Sequence, residues 1–190
     1  MNEKLFLIVG PSGVGKGTVI DHLKRIYPQF VFPVSYTTRE KRPREKDGDV
    51  YHFISKEEFK KNIAEDKFLE YARVHSDNFY GTLKEPILTA LQKGKNVVRE
   101  VDIQGFESIK NRIPKENLVS IFLYINNWED LKGRIMRRHP ESEEEIAQRE
   151  QSFEHEMAKR FLCDYQVESR EGDIEGCVTE VEEIVKRSLL

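Results

Sequence analysis

One stretch of this sequence decides the fold: Gly10-Pro11-Ser12-Gly13-Val14-Gly15-Lys16-Gly17-Thr18. It follows a short apolar run at residues 4–9, whose lack of alternation predicts a fully buried strand. It leads into residues 14–26, where apolar side chains recur at helical spacing. A glycine-rich loop with a lysine, between a strand and a helix, predicts a P-loop, in which backbone N–H groups and the helix N-terminus bind phosphate.

The end of this loop departs from the strict P-loop pattern, because Gly17 follows Lys16 where Ser or Thr is expected. Thr18 comes one position later, and in this the loop resembles the Gly-Lys-Gly-Thr form of nucleoside monophosphate kinases. The resemblance implies that Thr18 contacts phosphate and that Mg²⁺ is held largely through water. The alternative is a glycine-rich turn that binds nothing, but the flanking elements and Lys16 favour a phosphate site.

Strand and helix patterns alternate along most of the chain, which predicts an α/β fold with a parallel sheet flanked by helices. Residues 35–82 break this rhythm with short strands at 51–54 and 68–75, a polar loop at 38–50 and a helix that ends near 65. We therefore expect a small mixed α/β insertion at about 35–82 within a core formed by about 1–34 and 83–190. Two capping boxes, beginning at Ser55 and Ser142, predict where two helices start.

The composition excludes several classes of protein. The chain has 190 residues, with 31 Lys and Arg against 34 Asp and Glu, and its formal net charge of −3 argues against a general nucleic-acid-binding protein. No apolar run approaches the roughly 18 residues of a membrane span, and no signal peptide is recognisable. The two cysteines lack metal or redox spacing, which favours reduced thiols and a cytoplasmic location.

A basic run at residues 39–46 is the second feature with chemical content. It can be read as a solvated charge run, but hydroxyl side chains precede it and Tyr51 follows it. Arginines and hydroxyl groups gathered around one loop suit a phosphate monoester, because guanidinium groups bind such oxygens in pairs. Glu45, inside the run, is expected either to orient Arg39 or Arg42 or to be exposed.

The order Ser-x-Thr-Thr-Arg-x-x-Arg-x-x-Glu-x-x-Gly-x-x-Tyr-x-Phe, at residues 35–53, resembles the GMP-binding signature of guanylate kinases. Residues 68–70, 78–82 and 100–105 fit the same family, and the resemblance runs from residue 4 to about 170. It implies a P-loop core that binds ATP, a GMP-binding insertion and a helical lid at about 138–149. The residues implied in ATP binding are Gly10, Pro11, Ser12, Gly13, Val14, Gly15, Lys16, Gly17 and Thr18.

The resemblance also assigns the acceptor site. It implies that the GMP phosphate is held by Arg39, Arg42, Tyr51 and Tyr80. It implies that guanine is read by Ser35, Glu70, Thr82 and Asp102. The chemistry agrees, because a carboxylate such as Glu70 can pair with the N–H donors of guanine and would meet a lone pair on adenine.

The remaining implied roles concern the metal and the lid. Glu100 is expected to bind Mg²⁺ through water, at a position where the family more often has Asp. Arg134, Arg138 and Arg149 match the lid and catalytic arginines of the family, acting with Lys16 on the transferred phosphoryl group. The basic run at 132–138 can also be read as a helix face balanced by the acidic turn at 143–145.

Two positions depart from expectation. Arg99 stands at a buried strand position where an apolar residue is expected, and it lies either on a sheet edge or beside an acid. Ser169 replaces the asparagine that the family usually has near the adenine or the lid, which leaves the adenine contacts open.

These features together predict an enzyme that phosphorylates GMP to GDP with ATP and Mg²⁺, with dGMP as a side substrate. One alternative is a scaffold domain that has lost catalysis and binds phosphopeptides in the GMP site. Another is a kinase of the same fold for a different acceptor, such as a ribosyl bisphosphate. The sequence leaves the oligomeric state open.

Overall fold

A computed structural model describes residues 3–42, 45–49, 51–74, 78–138 and 141–190, with the side chains of Val74 and Arg138 left outside the description. The strands, numbered in chain order, are β1 (Leu5–Val9), β2 (Ser35–Thr37), β3 (Tyr51–Phe53), β4 (Phe68–Val74), β5 (Asn78–Leu83), β6 (Val97–Val101), β7 (Leu118–Tyr124) and β8 (Tyr165–Glu168). The helices are α1 (Lys16–Ile26), α2 (Lys56–Ala64), α3 (Lys84–Gln92), α4 (Ile103–Lys110), α5 (Trp128–Arg138), α6 (Glu143–Ala158) and α7 (Ile174–Ser188).

Four parallel strands form the central sheet, in the order β6-β1-β7-β8. All five residues of β1 are buried, and their side chains alternate between two apolar cores. Phe6 and Ile8 face the core shared with α1 and α7, whereas Leu5, Leu7 and Val9 face the core shared with α3 and α4. The expected α/β fold with helices on both faces of a parallel sheet is confirmed.

A second, mixed sheet in the order β3-β2-β5-β4 is built from residues 35–83. Its apolar side packs on α2, where the rings of Phe59 and Phe68 stack with centroids 4.3 Å apart. The Ser55 hydroxyl accepts a hydrogen bond from the Glu58 backbone N–H and caps α2, as the sequence predicts. The second predicted cap is also present: Ser142 and Glu145 form a complete capping box at the start of α6.

The sequence analysis was wrong about one part of this sheet. It predicted no strand at β5, yet β5 pairs with both β2 and β4; its glycine and polar residues give a poor strand pattern, and its pairing depends on residues far away in sequence. β2 begins at Ser35, and Val31 before it makes an isolated bridge to Val97. In the described part of the chain, no helix is long and apolar enough to cross a membrane.

Candidate active site

The phosphate loop lies between the end of β1 and the start of α1, where the sequence predicts it. Gly10, Gly13 and Gly15 have φ values of 142°, 90° and 111°, which side chains rarely adopt. A Cβ atom on Gly10 would lie 2.3 Å from the carbonyl oxygen of Leu123 on β7, so the loop packs directly on the central sheet. Gly15 caps α1 and has no side chain to accept hydrogen bonds, which leaves N–H groups of the first turn for an external anion.

Lys16 curls back over this loop. Its ammonium group donates hydrogen bonds to the carbonyl oxygens of Gly10, at 2.6 Å, and Pro11, at 3.0 Å. Ser12, Gly17 and Thr18 are exposed beside it. The residues implied in ATP binding thus form one continuous loop at the N-terminus of α1, in which Gly10, Pro11 and Val14 are buried.

A cavity of about 190 Å³ opens between Lys16 and the second sheet. The sequence-predicted residues that line it are Lys16, Ser35, Tyr51, Glu70, Tyr80, Glu100 and Asp102. They come from both sheets and from the start of α1, so the two sheets enclose the cavity between them. The structure therefore brings the predicted phosphate-binding lysine and the predicted base-reading residues to one cleft.

Inside this cavity a chain of hydrogen bonds joins the two sheets. The Thr82 hydroxyl, which is fully buried, donates to Glu70 Oε1 at 2.6 Å. Arg99 Nε donates to Thr82 Oγ1 at 3.0 Å, and Arg99 Nη2 donates to Ser35 Oγ. Burial raises the pKa of Glu70, and the Thr82 hydroxyl and the Arg99 charge oppose that rise.

Arg39 is held at the rim of the second sheet. Its Nη2 donates to both carboxylate oxygens of Glu45, at 2.8 and 3.0 Å, and its guanidinium lies 5.7 Å from the centre of the Tyr51 ring. Glu45 also accepts a hydrogen bond from the Arg42 backbone N–H at 2.9 Å. The open question about Glu45 is thereby answered: it orients the Arg39 side chain and the Arg42 backbone together.

The other residues predicted at the acceptor phosphate lie close by. The rings of Tyr51 and Tyr80 meet edge to face at 5.5 Å, and burial raises the pKa of Tyr51. The Arg42 side chain is exposed, whereas Arg44, within the same basic run, lies outside the described residues. Arg39, paired with Glu45, and the two tyrosines thus form a preorganised rim, and the exposed Arg42 lies next to it.

Two acids, Glu100 and Asp102, lie two positions apart at the end of β6. The Asp102 carboxylate accepts a hydrogen bond from the Gly105 N–H at 2.7 Å and caps α4, so it has a structural role besides lining the cavity. Glu100 lines the cavity together with Lys16, which is the position expected of a residue that holds a metal ion through water.

Two of the predicted lid arginines, Arg134 and Arg149, form hydrogen bonds to other residues of the protein. All five N–H groups of Arg134 donate, to Glu171, Val14, Ser169 (twice) and Arg170, and thereby join the phosphate loop to the segment after β8. Arg149 forms a two-pronged ion pair with Glu141. The side chain of Arg138 and the lid residues 139 and 140 lie outside the described residues.

The guanylate kinase family model matches residues 2–188 of this chain. The chain belongs to the guanylate kinase family. It is 36% identical over 184 residues to the guanylate kinase of Corynebacterium jeikeium, covering 96% of each chain. It is 40% identical over 181 residues to that of Caldanaerobacter subterraneus subsp. tengcongensis, covering 95% of this chain and 85% of the relative.

Solved structures extend the likeness to the fold. The guanylate kinase of Anaplasma phagocytophilum superimposes with a TM-score of 0.75 at 24% identity, covering 99% of this chain and 87% of that one. The shikimate kinase of Bacteroides thetaiotaomicron gives a TM-score of 0.51 at 16% identity, covering 96% and 98%. This second likeness extends to the fold alone.

The sequence analysis gave no functional role to two residues of this guanylate kinase family member. Arg99 was noticed without a role, and the structure places it on β6, an edge strand, where it contacts hydroxyl groups. Glu156 on α6 was missed: its Oε2 is buried without a hydrogen-bond partner among the described residues, and burial raises its pKa to about 7. The sequence does carry a pattern that could have revealed Glu156. It lies at helical spacing from the apolar residues Phe153 and Met157, which form the buried stripe of α6.

Proposed function

We propose that this protein transfers the γ-phosphoryl group of ATP to GMP and releases ADP and GDP. The observation that carries the proposal is the cavity next to the phosphate loop, where Glu70, an acceptor, lies between hydroxyl groups. Family membership supports the same reaction. The transfer needs no covalent intermediate and no strong general base, because the GMP phosphate oxygen is itself the nucleophile.

On the donor side, we infer that the ATP phosphates bind over the loop at residues 10–18. The N–H groups at the start of α1 face the anion there, and the helix dipole adds positive potential. Lys16 exchanges its bonds to the Gly10 and Pro11 carbonyl oxygens for bonds to phosphate oxygens. A strongly charged ligand is a better partner for an ammonium group than two neutral carbonyl groups.

The donor groups at this site fit Mg²⁺ held mainly by water and substrate. Among the described residues no group of three or more His, Cys, Asp or Glu could hold a metal ion. Mg²⁺ typically keeps several waters and binds one or two carboxylates together with substrate phosphates, which suits Glu100 at the edge of the cavity. When bound, the ion supplies neutralisation of the charge that develops on the transferred group.

On the acceptor side, we infer that the GMP phosphate binds at the rim formed by Arg39, Tyr51 and Tyr80, with the exposed Arg42 added on binding. The Glu45 carboxylate holds Arg39 in place, so little side-chain freedom remains to be lost when phosphate binds. The guanine base enters the cavity, where Glu70 accepts from its N–H donors and Ser35 donates to O6. Thr82 supports Glu70, and Asp102 lies beside them.

We further propose that the segment at about 138–149 is a lid that closes over both nucleotides, as an appendage of the core at 1–34 and 83–190. Arg149 would leave Glu141 and, with Arg138, contact the transferred group, while Arg134 joins the phosphate loop to the segment after β8. Closure excludes water and suppresses hydrolysis of ATP. We place the enzyme in the cytoplasm, with single nucleotides rather than nucleic acids or membranes as partners.

The phosphopeptide-scaffold alternative fits less well, because the glycines of the phosphate loop and Lys16 serve no purpose in it. A kinase for a sugar phosphate fits less well than one for GMP, because such an acceptor brings no base N–H donors to the buried Glu70, which would keep only the Thr82 hydroxyl. dGMP remains an expected side substrate, since none of the base-reading groups depends on the ribose 2′-hydroxyl.

The test is a coupled assay of ADP release with ATP and a panel of GMP, dGMP, AMP, UMP and CMP. We expect kcat/KM for GMP to exceed that for AMP by at least about 10⁴, the scale set by buried groups that the wrong base leaves unpaired. Equal values for GMP and AMP would contradict the proposal, and activity on none of the five nucleotides would favour the scaffold alternative.

A matched pair of variants locates the selectivity. Glu70→Gln replaces the acceptor by an amide and is expected to lower kcat/KM for GMP by about 10- to 100-fold. Glu85→Gln, at an exposed position on α3, is the control and leaves it unchanged. If Glu70→Gln also leaves it unchanged, guanine is not read by Glu70.

A further inference from the structure

Arg99 is a charged residue at the edge of the central sheet that reaches across to the second sheet. Its neighbours on the same face of β6, Val97 and Val101, are buried in an apolar core. Arg99 instead extends its guanidinium into the cavity, which it lines together with Glu70. Burying an arginine is costly unless its donors find partners, and here two hydroxyl oxygens each accept one of its five N–H donors.

The hydrogen bonds of Arg99 fix the direction of their neighbours. A hydroxyl group has a single proton, and its oxygen can accept while that proton donates elsewhere. Thr82 Oγ1 accepts from Arg99 Nε, so its proton is available for Glu70 Oε1, to which it donates at 2.6 Å. Ser35 Oγ accepts from Arg99 Nη2, so its proton must point away from Arg99.

We propose that Arg99 is a positioning residue for base selectivity, which sets the hydrogen-bond polarity of the base-reading edge. With Arg99 in place, the edge offers a donor, the Ser35 O–H, beside an acceptor, the Glu70 carboxylate. Guanine presents the complementary O6 acceptor beside an N1–H donor. Adenine presents the reverse, an N6–H donor beside the N1 lone pair, so it meets two mismatches. This inference rests on the proposed function and deepens it.

Without Arg99, the polarity of the edge is no longer fixed. The Ser35 and Thr82 hydroxyl groups could then rotate, and each could accept a hydrogen bond from the base as readily as it donates one. The positive charge that opposes the effect of burial on the Glu70 carboxylate would also be lost. Both changes weaken the binding of GMP more than the binding of AMP, and neither involves the ATP side of the cleft.

The experiment compares Arg99→Met with Arg112→Leu in the full chain. Arg112 also joins the core to the second sheet, through Asp66 at 3.0 Å and the Phe68 carbonyl oxygen at 3.2 Å, but it lies outside the cavity. Steady-state kinetics give kcat, KM for ATP and the ratio of kcat/KM for GMP to that for AMP. Thermal unfolding is recorded for each variant.

In Arg99→Met we expect the GMP-to-AMP ratio to fall by about 10- to 100-fold, the scale of one hydrogen bond to a charged group. The loss should lie in KM for GMP, with kcat at saturating GMP and KM for ATP within about threefold of the wild type. Arg99→Lys keeps a charged donor and should recover part of the ratio. Arg112→Leu should keep the ratio even if it unfolds at a lower temperature.

The inference is overturned if Arg99→Met keeps the wild-type ratio, or if it changes the ratio no more than Arg112→Leu does. Should Arg99→Met fail to fold, Arg99→Gln decides: it is neutral and cannot reproduce the guanidinium fork, so a ratio within about twofold of wild type overturns the inference. A wild type without activity on GMP would refute the proposed function itself. An active wild type with an unchanged ratio in Arg99→Met refutes only the role of Arg99.

Discussion

In the proposed function, the phosphate loop and the base cavity bind the two substrates of one reaction by opposite means. The loop is a continuous run, residues 10–18, whose shape depends on glycine backbone and on close packing against β7. The cavity is assembled from residues on five strands, β2 to β6, together with Lys16 of α1 and the helix cap Asp102, and its key contacts join residues as far apart in sequence as Ser35 and Arg99. In the proposed function, the loop recognises a charge that every nucleoside triphosphate shares, whereas the cavity recognises one base.

This contrast predicts different sensitivities to mutation. A change that adds a single carbon where the loop packs on β7, at Gly10, should damage the whole fold, because the Leu123 carbonyl oxygen leaves no room for it. A change in the cavity should alter selectivity and leave most of the fold intact, because its side chains sit between two separately packed sheets. The predictions below test that contrast, beginning with the largest effect.

The first compares Gly10→Ala with Gly17→Ala in the absence of nucleotide. The added Cβ at Gly10 would meet the Leu123 carbonyl oxygen at 2.3 Å at a φ of 142°, so we expect a loss of roughly 3 kcal/mol or more of stability. Gly17 lies in the first turn of α1 with nothing within 4 Å of an added Cβ, so alanine there should be neutral or stabilise by up to about 1 kcal/mol.

Thermal unfolding followed by circular dichroism measures both. If the two alanine substitutions shift the thermal unfolding midpoint equally, the loop does not depend on the close packing of Gly10 against β7. We expect Gly10→Ala to lower the unfolding midpoint by about 6 °C or more and Gly17→Ala not to lower it.

The second prediction concerns the one long side chain on which the loop depends. Lys16→Met removes a cation from the transferred phosphoryl group, and we expect kcat to fall by at least about 10²-fold, the scale of one lost transition-state donor. The affinity for GMP, measured by calorimetry, should change little, because the base-reading groups are untouched.

Arg25→Met, at the exposed end of the same helix, is the control and should retain the wild-type kcat. Unchanged turnover in Lys16→Met would show that the loop has no role in the chemistry. A parallel loss of GMP affinity would show that the two regions are less separate than the geometry suggests.

The same contrast explains what the sequence could predict. The phosphate loop and both helix caps follow from residues within a few positions of one another, and the structure has them where they were expected. The alternation of strands and helices predicted the central sheet for the same reason, since each element carries its own pattern of apolar residues.

What failed depends on contacts between distant residues. β5 carries glycine and polar residues and becomes a strand only because β2 and β4 lie on either side of it. The sequence showed that Arg99 was out of place but not what it contacts, because its partners are 64 and 17 positions away. The residues of the acceptor site were reached through the family resemblance rather than through spacing.

Glu156 is where the two regions meet, and it carries the prediction with the smallest effect. Its buried carboxyl faces the positive charge of Lys16, which lowers its pKa, and the negative charge of Asp102, which raises it, while burial dominates and brings the pKa to about 7. In the unfolded chain the ordinary value is 4.5. Between these two values the folded state holds a proton that the unfolded state releases, so stability falls as pH rises and the loss is complete above about pH 7.

Glu156→Gln cannot ionise and should lack this part of the pH dependence. We expect the variant to gain roughly 1–3 kcal/mol of stability relative to wild type between pH 5 and pH 8, measured by urea unfolding at each pH without nucleotide. Glu154→Gln, exposed on the same helix, should follow the wild-type curve. Adding Lys16→Met to the wild type should move the pH at which stability is lost upward, because the attraction that lowers the pKa of Glu156 is gone. If the Lys16→Met curve coincides with that of wild type, the ionisation of Glu156 does not respond to the charge of the phosphate loop.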